Sequence, residues 1–201
     1  MPALQLDAVH YRLSFLRPFG VAHGTRAFTD AIFVRAAFGE HKGYGEAAVP
    51  PYLGYDTPEL VRSFGTWFPN QMEDSSAIRN LLVTFSRSGT EIPKPLRCAV
   101  DIALHDLLGK MTGTPIRSVF GIPKSDTECA FTIGIGTVQD LMEQVHAHPE
   151  VSLFKLKLGG AEDRFRVEAL LGLGHTSMVG ASSSAIPVDV VSKVTFKVIS
   201  N

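Results

Sequence analysis

The sequence predicts two regions of different architecture: an α+β region, with a three-stranded antiparallel sheet and a helical bundle, followed by the start of an α/β region. Three observations predict this order. Short β-compatible runs separated by glycine and proline turns occupy the first quarter of the chain. Apolar residues at helical spacing dominate the middle, and beyond residue 124 strand and helix patterns alternate. We therefore place the domains at residues 1–124 and 125–201.

Three runs near the N-terminus predict the antiparallel strands. They extend from Leu4 to Leu16, from Asp30 to Phe38 and from Tyr44 to Val49. A proline- and glycine-broken segment, residues 17–26, predicts a loop between the first two, and residues 39–43 predict a turn. Short connections of this kind favour an antiparallel meander.

Helical spacing of apolar residues predicts three helices in the middle of the chain. Their approximate ranges are residues 56–68, 75–85 and 93–112. The third is the clearest, because it opens on prolines and Gly113 follows its end, where a left-handed cap belongs.

Asp101 and His105 stand four residues apart on the third predicted helix and could in principle share a metal ion. A pair with no third ligand is more often a solvated or capping contact than a metal site. We interpret the pair in that way.

Beyond residue 124 the pattern is strand, helix, strand, helix. The strands are predicted at residues 128–134 and 151–158, and the helices at 137–148, capped by Thr137, and at 162–171. This alternation is typical of βα units and predicts a parallel sheet.

The second of these strands contains the lysine pair, Lys155 and Lys157, within the run Phe154-Lys155-Leu156-Lys157-Leu158. The period of two places both lysines on one face. One interpretation is a surface strand with lysines toward solvent. The other is a pair of ammonium groups in one cavity, where desolvation and mutual repulsion lower the pKa of a lysine until it can accept a proton from carbon.

Composition excludes several classes of protein. A formal net charge of −1 argues against nucleic acid as a partner. Cys98 and Cys129 fit neither a disulfide framework nor a metal site, and the N-terminus shows no signal peptide, so we expect a cytoplasmic protein. No uncharged run is apolar enough for a membrane span.

Five segments, taken in order, resemble the enolase superfamily in its muconate-lactonizing and mandelate-racemase-like branch. They look most like dipeptide epimerases of the Ala-Glu type, and the similarity extends over residues 1 to about 171. The segments are Arg17-Pro18-Phe19 with Gly24-Thr25-Arg26, Gly43-Tyr44-Gly45-Glu46-Ala47, Ala99 to Lys110, Phe131 to Thr137, and Phe154 to Gly159.

The resemblance implies an α+β capping domain followed by a TIM-type (β/α) barrel, with the active site at the C-terminal ends of the barrel strands. It also implies a Mg²⁺-dependent isomerase that removes the proton alpha to a carboxylate and forms an enediolate. Lys157 would be an acid/base catalyst. Lys155 would lower its pKa and help to hold the substrate carboxylate.

The implied partner is a small dipeptide, bound by Phe19, Arg26, Tyr52 and Thr132. Arg26 would suit an acidic side chain through a bidentate contact. A surface arginine on a glycine-flanked loop is an equally good interpretation from the sequence.

The sequence also departs from this family. A complete barrel needs roughly 200 residues, and about 75 follow the domain boundary, so we expect a barrel that is truncated in this chain. From about residue 172 the tail is atypical. A strand at residues 186–191 would carry Asp189 near the position of the first metal ligand, although Val191 stands where the family has asparagine.

Most of the family's metal ligands and its second catalytic lysine are therefore not found, and we expect this single chain to be inactive. The alternative is a non-catalytic fragment, or an interaction or homo-oligomerising module, derived from that family. An unfinished barrel would leave a sheet edge and an apolar face uncovered, and such surfaces invite pairing with another chain.

Overall fold

The structure is a computed structural model that describes residues 2–21, 24–69, 71–72, 76–86, 91–126, 129–173 and 176–180. The chain divides into two compact units. The first comprises Met1–Ser14 and Phe28–Ser125, and the second comprises Phe15–Ala27 together with the chain from Asp126 onward.

The antiparallel sheet begins with strands β1 (Leu4–Val21), β2 (Gly24–Phe38) and β3 (His41–Ala48). These are the three predicted strands. A fourth, two-residue strand, β4 (Gln71–Met72), pairs with the start of β1, giving the order β3-β2-β1-β4. Strands this short carry no periodicity, so the sequence could not predict β4.

The loop predicted at residues 17–26 is wrong for most of its length. β1 continues to Val21 and β2 begins at Gly24, so the two strands extend as a long ribbon. Pro18 does not end β1, because proline is tolerated in a strand wherever its nitrogen needs no hydrogen-bond partner.

Helix α4 (Lys94–Thr112) packs its apolar face on this sheet, following the short helices α1 (Thr57–Arg62) and α2 (Phe64–Trp67) and helix α3 (Ala77–Ser86). The closest approach is at Gly43 and Gly45 of β3. A Cβ at Gly45 would lie 2.0 Å from the carbonyl oxygen of Ala99, and one at Gly43 would lie 2.2 Å from that of Ala103. The absence of side chains at these two positions therefore allows the helix to lie against the strand.

The ends of these helices follow their capping chemistry. Asp56 accepts from the amide of Glu59 at the start of α1, and Gly113 ends α4 with a φ of 62° in the left-handed region, as predicted. The single helix predicted at residues 56–68 is divided at Ser63, whose hydroxyl donates to the carbonyl of Leu60. Such a bond competes with the helical pattern. A further short helix, α5 (Ile116–Val119), follows α4.

The second unit contains the predicted alternation of strands and helices. Its elements are β5 (Phe131–Ile133), α6 (Val138–Ala147), β6 (Leu153–Lys157), α7 (Asp163–Gly172) and β7 (Thr176–Gly180). The strands are parallel in the order β5-β6-β7. β7 lies in the segment expected to be an atypical tail, and the strand predicted at residues 186–191 lies outside the described residues.

One side of the parallel sheet and the two helices enclose the core of this unit. α6 begins with a capping box, in which the side chains of Thr137 and Asp140 each accept from the other's backbone amide. On α7, Val167 and Leu170 are buried, whereas Phe165 is 61% exposed and Arg166 is 1% exposed. The buried face of α7 therefore includes Arg166 and excludes Phe165.

Two further predictions can be compared with the described residues. Within them, no helix has both the length and the apolar character required to cross a bilayer. Cys98 and Cys129 are free thiols and both are exposed. The helical apolar pattern around Cys98 predicts a small core residue there, and that prediction is wrong.

Candidate active site

The lysine pair lies on β6 as the period of two predicts. Phe154 and Leu156 are fully buried in the core of the second unit, whereas Lys155 and Lys157 are half-buried on the opposite face. Lys157 is the last residue of the strand. The ammonium groups form no ion pair with any other described residue, so both remain available to a ligand.

Two features of the structure around Lys157 change the pKa of its ammonium group. Partial burial lowers the pKa of its ammonium group, and the neighbouring positive charge of Lys155 lowers that pKa further. These are the two effects that the functional interpretation of the pair requires. A fully solvated strand would lack the effect of burial, which is the larger of the two.

Thr132 lies beside the lysine pair. It is half-buried on β5, and its Cα is the register partner of Lys155. Registered neighbours in a parallel sheet project to the same face about 4.8 Å apart. The face opposite the helices therefore carries a hydroxyl and two ammonium groups on β5 and β6.

Phe19 belongs to the part of β1 that lies in the second unit, and its side chain is next to the residue that follows β5. The carbonyl of Gly20 accepts from the amide of Ile135 at 2.9 Å, which fixes this part of the ribbon against the loop after β5. The ring of Phe19 lies over Gly134, where an added Cβ would be 3.3 Å from its Cδ2. Gly134 directly follows β5, and Lys157 ends the adjacent strand.

Arg26 and Tyr52 are the remaining predicted substrate residues. Arg26 belongs to the second unit, is half-buried, and makes no ion pair with another residue that the structure describes. Tyr52 belongs to the first unit, in a single 3-10 turn (Pro51–Leu53), and its side chain is 82% exposed.

Sequence reasoning missed the residues that hold the strand ends. Arg166 of α7 donates through Nη1 to the carbonyl of Lys157 at 3.0 Å and through Nη2 to the carbonyl of Gly134. Its helical spacing from Leu170, four residues later, was the one available signal that Arg166 shares the buried face. A charge at that position is normally assigned to solvent.

Two acidic residues at the start of α7 complete these contacts. Asp163 accepts from the amides of Gly159 at 2.6 Å and Gly160 at 3.1 Å, in the loop that follows β6. Glu162 accepts from the amide of Val138 at 2.9 Å, at the start of α6. The loops around the strand ends are thus held mainly through backbone groups.

The described residues do not supply a metal-ligand set. Among them there is no group of three or more histidine, cysteine, aspartate or glutamate side chains that could hold a metal ion. Asp189, the predicted metal ligand, lies outside the described residues.

Asp101 and His105 form a local contact, as interpreted from the sequence. His105 Nδ1 lies 2.9 Å from the backbone carbonyl oxygen of Asp101 and 3.6 Å from its Oδ1. The ring of His105 packs on Phe120, with centroids 5.3 Å apart. Both residues line a shallow cleft of about 600 Å³ in the first unit.

The curated proteins and the solved structures that resemble this chain include the same kind of protein. No protein-family model matches the chain. An L-Ala-D/L-Glu epimerase from Bacteroides thetaiotaomicron is 31% identical over 162 residues, covering 80% of this chain and 42% of the relative. A hydrophobic dipeptide epimerase from a Flavobacteria bacterium is 30% identical over 149 residues, covering 72% of this chain and 42% of the relative.

Among solved structures, a dipeptide epimerase from Enterococcus faecalis, complexed with Mg and the dipeptide L-Leu-L-Tyr, has the same fold. Its TM-score is 0.75 at 20% sequence identity, over 96% of this chain and 57% of that one. The chain therefore spans about half the length of the relatives it matches.

The antiparallel sheet with its helices and the partial parallel sheet match part of the fold of this epimerase and of an enolase family member from Agrobacterium tumefaciens, which has a TM-score of 0.70 at 23% sequence identity. The matched curated relatives are an L-Ala-D/L-Glu epimerase, an L-Ala-D/L-amino acid epimerase and a hydrophobic dipeptide epimerase. The resemblance predicted from the sequence is confirmed, and magnesium is the metal named for several of the matched epimerase structures.

Proposed function

We propose that the described residues form one half of a dipeptide-epimerase active site, in which Lys157 moves a proton to and from the α-carbon next to the substrate carboxylate. The observation that carries this proposal is the position of Lys157. It is half-buried at the C-terminal end of a parallel strand, beside a second lysine and without a counter-charge among the described residues. Active sites of (β/α) barrels are built at that end of the strands.

Each residue of the lysine pair has a distinct task. The lowered pKa raises the fraction of Lys157 that is neutral near pH 7, and only the neutral amine can accept the α-proton. The same group, once protonated, can return the proton. The side chain of Lys155, on the same face of β6, can pair with the carboxylate whose oxygens gain negative charge as the proton leaves.

Thr132, Phe19 and Arg26 are assigned to substrate binding. The hydroxyl of Thr132, one strand from Lys155, can donate to a substrate carbonyl or carboxylate oxygen. Phe19 supplies an apolar surface near the end of β5. The guanidinium of Arg26, which has no ion pair among the described residues, suits a side-chain carboxylate. The exposed Tyr52 of the first unit is assigned to substrate binding by the resemblance alone.

Epimerisation needs groups that the described residues do not contain. Several of the matched epimerase structures are complexed with Mg, and no metal-ligand set is found among the described residues. A second acid/base group on the other side of the α-carbon is needed as well. We therefore expect turnover to require residues outside the described part of the chain.

Replacing Lys155 with methionine tests the tuning of Lys157. Loss of the neighbouring positive charge should raise the pKa of Lys157 toward that of an ordinary lysine, so its neutral fraction at pH 8 should fall. The measurement is competitive acylation at a series of pH values, with labelled peptides quantified by mass spectrometry. Lys124→Met removes an exposed lysine elsewhere and should leave the titration of Lys157 unchanged.

An ordinary titration of Lys157 in the unchanged chain would contradict the proposal. So would an unchanged midpoint in Lys155→Met. The test needs no substrate, since acylation measures Lys157 in the unliganded protein.

One observation favours the alternative of an oligomerising module. In the first unit, β1 exposes Val9, Tyr11 and Leu13 on one face, and Tyr11 is 55% exposed although its ring packs edge-on against Phe33. Under this alternative the face pairs with a second copy. Sedimentation of the chain would then show a dimer that Tyr11→Lys dissociates, and a monomer at all concentrations would reject the alternative.

A further inference from the structure

Arg166 occupies an unusual position for a charged side chain. It is 1% exposed, on the buried face of α7 beside Val167 and Leu170. Its Nη1 and Nη2 atoms donate to the carbonyls of Lys157 and Gly134, and its Nε is buried with no hydrogen-bond partner among the described residues. The guanidinium therefore joins the end of β6 to the residue that follows β5.

Burial of this group is poorly explained by stability alone. Desolvating a guanidinium costs several kcal/mol, and apolar side chains of similar volume often replace buried ionic groups without loss of stability. Asp163 Oδ1 is 3.5 Å from Nη1, and among the residues that the structure describes that oxygen has no hydrogen-bond partner. The ion pair is thus long, whereas the contacts to the two strand-end carbonyls are hydrogen bonds.

The hydrogen bonds of Arg166 and Asp163 lie at and just after Lys157, the residue proposed to transfer the proton. Hydrogen bonding of the Lys157 carbonyl fixes the peptide plane immediately after the Lys157 Cα. The next residues are fixed as well, because Asp163, three residues before Arg166, accepts from the amides of Gly159 and Gly160. Gly159 has a φ of 138°, a conformation that residues with a side chain rarely adopt.

We propose that Arg166 is a positioning residue, which clamps the carbonyls of Gly134 and Lys157 and so fixes the direction in which the Lys157 side chain leaves β6. This inference rests on the proposed function, since it assigns Arg166 a role through Lys157. Without the clamp the strand end loosens, the ammonium group of Lys157 gains water, and its average separation from Lys155 increases.

Planarity makes arginine suited to this task. The guanidinium presents several N–H donors in a fixed fork and can reach two carbonyls at once, whereas the single ammonium group of lysine cannot hold both in the same geometry. Arg166→Lys therefore keeps the charge and most of the volume but removes the clamp. This makes it the informative substitution, and Arg166→Met adds the loss of charge.

The test measures the acylation rate of Lys157 against pH in the full chain and in Arg166→Lys, Arg166→Met and Leu170→Ala. Leu170 is equally buried on the same face of α7 and contacts neither strand-end carbonyl through a side-chain donor, so its truncation is the control for lost stability. Circular dichroism establishes that each variant is folded. If Arg166→Met does not fold, Arg166→Lys carries the test.

We expect the labelling rate of Lys157 at pH 8 to fall by about twofold or more in Arg166→Lys, with the midpoint of its titration moved to higher pH. Leu170→Ala should lower the unfolding midpoint and leave the titration of Lys157 unchanged. Equal titration of Lys157 in Arg166→Lys and the unchanged chain would overturn the inference, as would an equal shift in Leu170→Ala.

The positioning role of Arg166 and the proton-transfer role of Lys157 are rejected by different results. A Lys157 that titrates at a lowered pKa in the unchanged chain and is insensitive to Arg166→Lys rejects only the positioning role. A Lys157 that titrates as an ordinary lysine in the unchanged chain rejects the proposed function, and with it the role assigned to Arg166.

Discussion

Gly45→Ala is expected to destabilise the first unit by about 3 kcal/mol, because the added methyl group would overlap atoms that cannot move independently. The new Cβ would lie 2.0 Å from the carbonyl oxygen of Ala99 and 2.6 Å from the amide nitrogen of Ala103. Both atoms belong to the backbone of α4. Relief therefore requires the whole helix to move away from β3 and from the core that it closes.

Urea unfolding followed by tryptophan fluorescence measures this effect. The chain contains one tryptophan, and Trp67 packs against the core of the first unit, so its emission reports the unfolding of that unit. Gly65→Ala is the matched control. Gly65 lies in helix α2 with nothing within 4 Å of an added Cβ, so alanine there should stabilise by up to about 1 kcal/mol.

An unfolding midpoint for Gly45→Ala equal to that of the unchanged chain would contradict the packing of α4 on β3. Equal destabilisation by both substitutions would show that the chain responds to any glycine replacement rather than to this contact.

The largest expected effect is on catalysis, at Lys157. The test uses a fusion protein. Residues 1–171 of this chain are joined to the C-terminal barrel half of the Bacteroides thetaiotaomicron relative, which supplies residues that the described part of this chain lacks. We expect Lys157→Ala in this fusion to lower the rate of dipeptide epimerisation by about 1,000-fold, since a positioned general base contributes on that order. The measurement is the rate of epimer formation with L-Ala-L-Glu as the probe.

Two control variants separate chemistry from charge and from folding. Lys157→Arg keeps a positive charge at the end of β6 but cannot give up its proton near neutral pH, so it should be as inactive as Lys157→Ala. Lys124→Met should retain the activity of the unchanged fusion. A Lys157→Arg fusion with substantial activity would show that Lys157 acts as a charge and not as a base.

Local chemistry explains what the sequence could predict. The period of two in β6 was sufficient to place both lysines on one face, because every alternate residue there is a large apolar one. α4 was predictable from its apolar stripe and from Gly113, and α6 from the capping threonine. The five segments that resemble the enolase superfamily placed those elements in the correct order.

The remainder depended on contacts between segments distant in the sequence. Arg166 is a charged residue in an ordinary helical pattern, and its burial depends on two strand-end carbonyls that only the folded sheet brings together. The ribbon formed by β1 and β2 continues past Pro18 although proline and glycine normally predict a loop there. The division of the predicted helix at Ser63 depends on one side-chain hydrogen bond.

The two interpretations of the lysine pair could be separated only from the structure around it. Alternation along the strand is the same for a solvated face and for a cavity. The partial burial of both lysines and the register of Thr132 with Lys155 favour the cavity. Neither property can be read from the run of residues 154–158 alone.

Deuterium incorporation at the α-carbon of the dipeptide tests the central claim most directly. In D₂O, a base on one side of the α-carbon exchanges the proton of one epimer only, so the unchanged fusion should exchange both epimers through its two bases. We predict that Lys157→Ala abolishes exchange for one epimer and leaves measurable exchange for the other. Exchange of both epimers at the unchanged rate would contradict the assignment of Lys157 as the acid/base group.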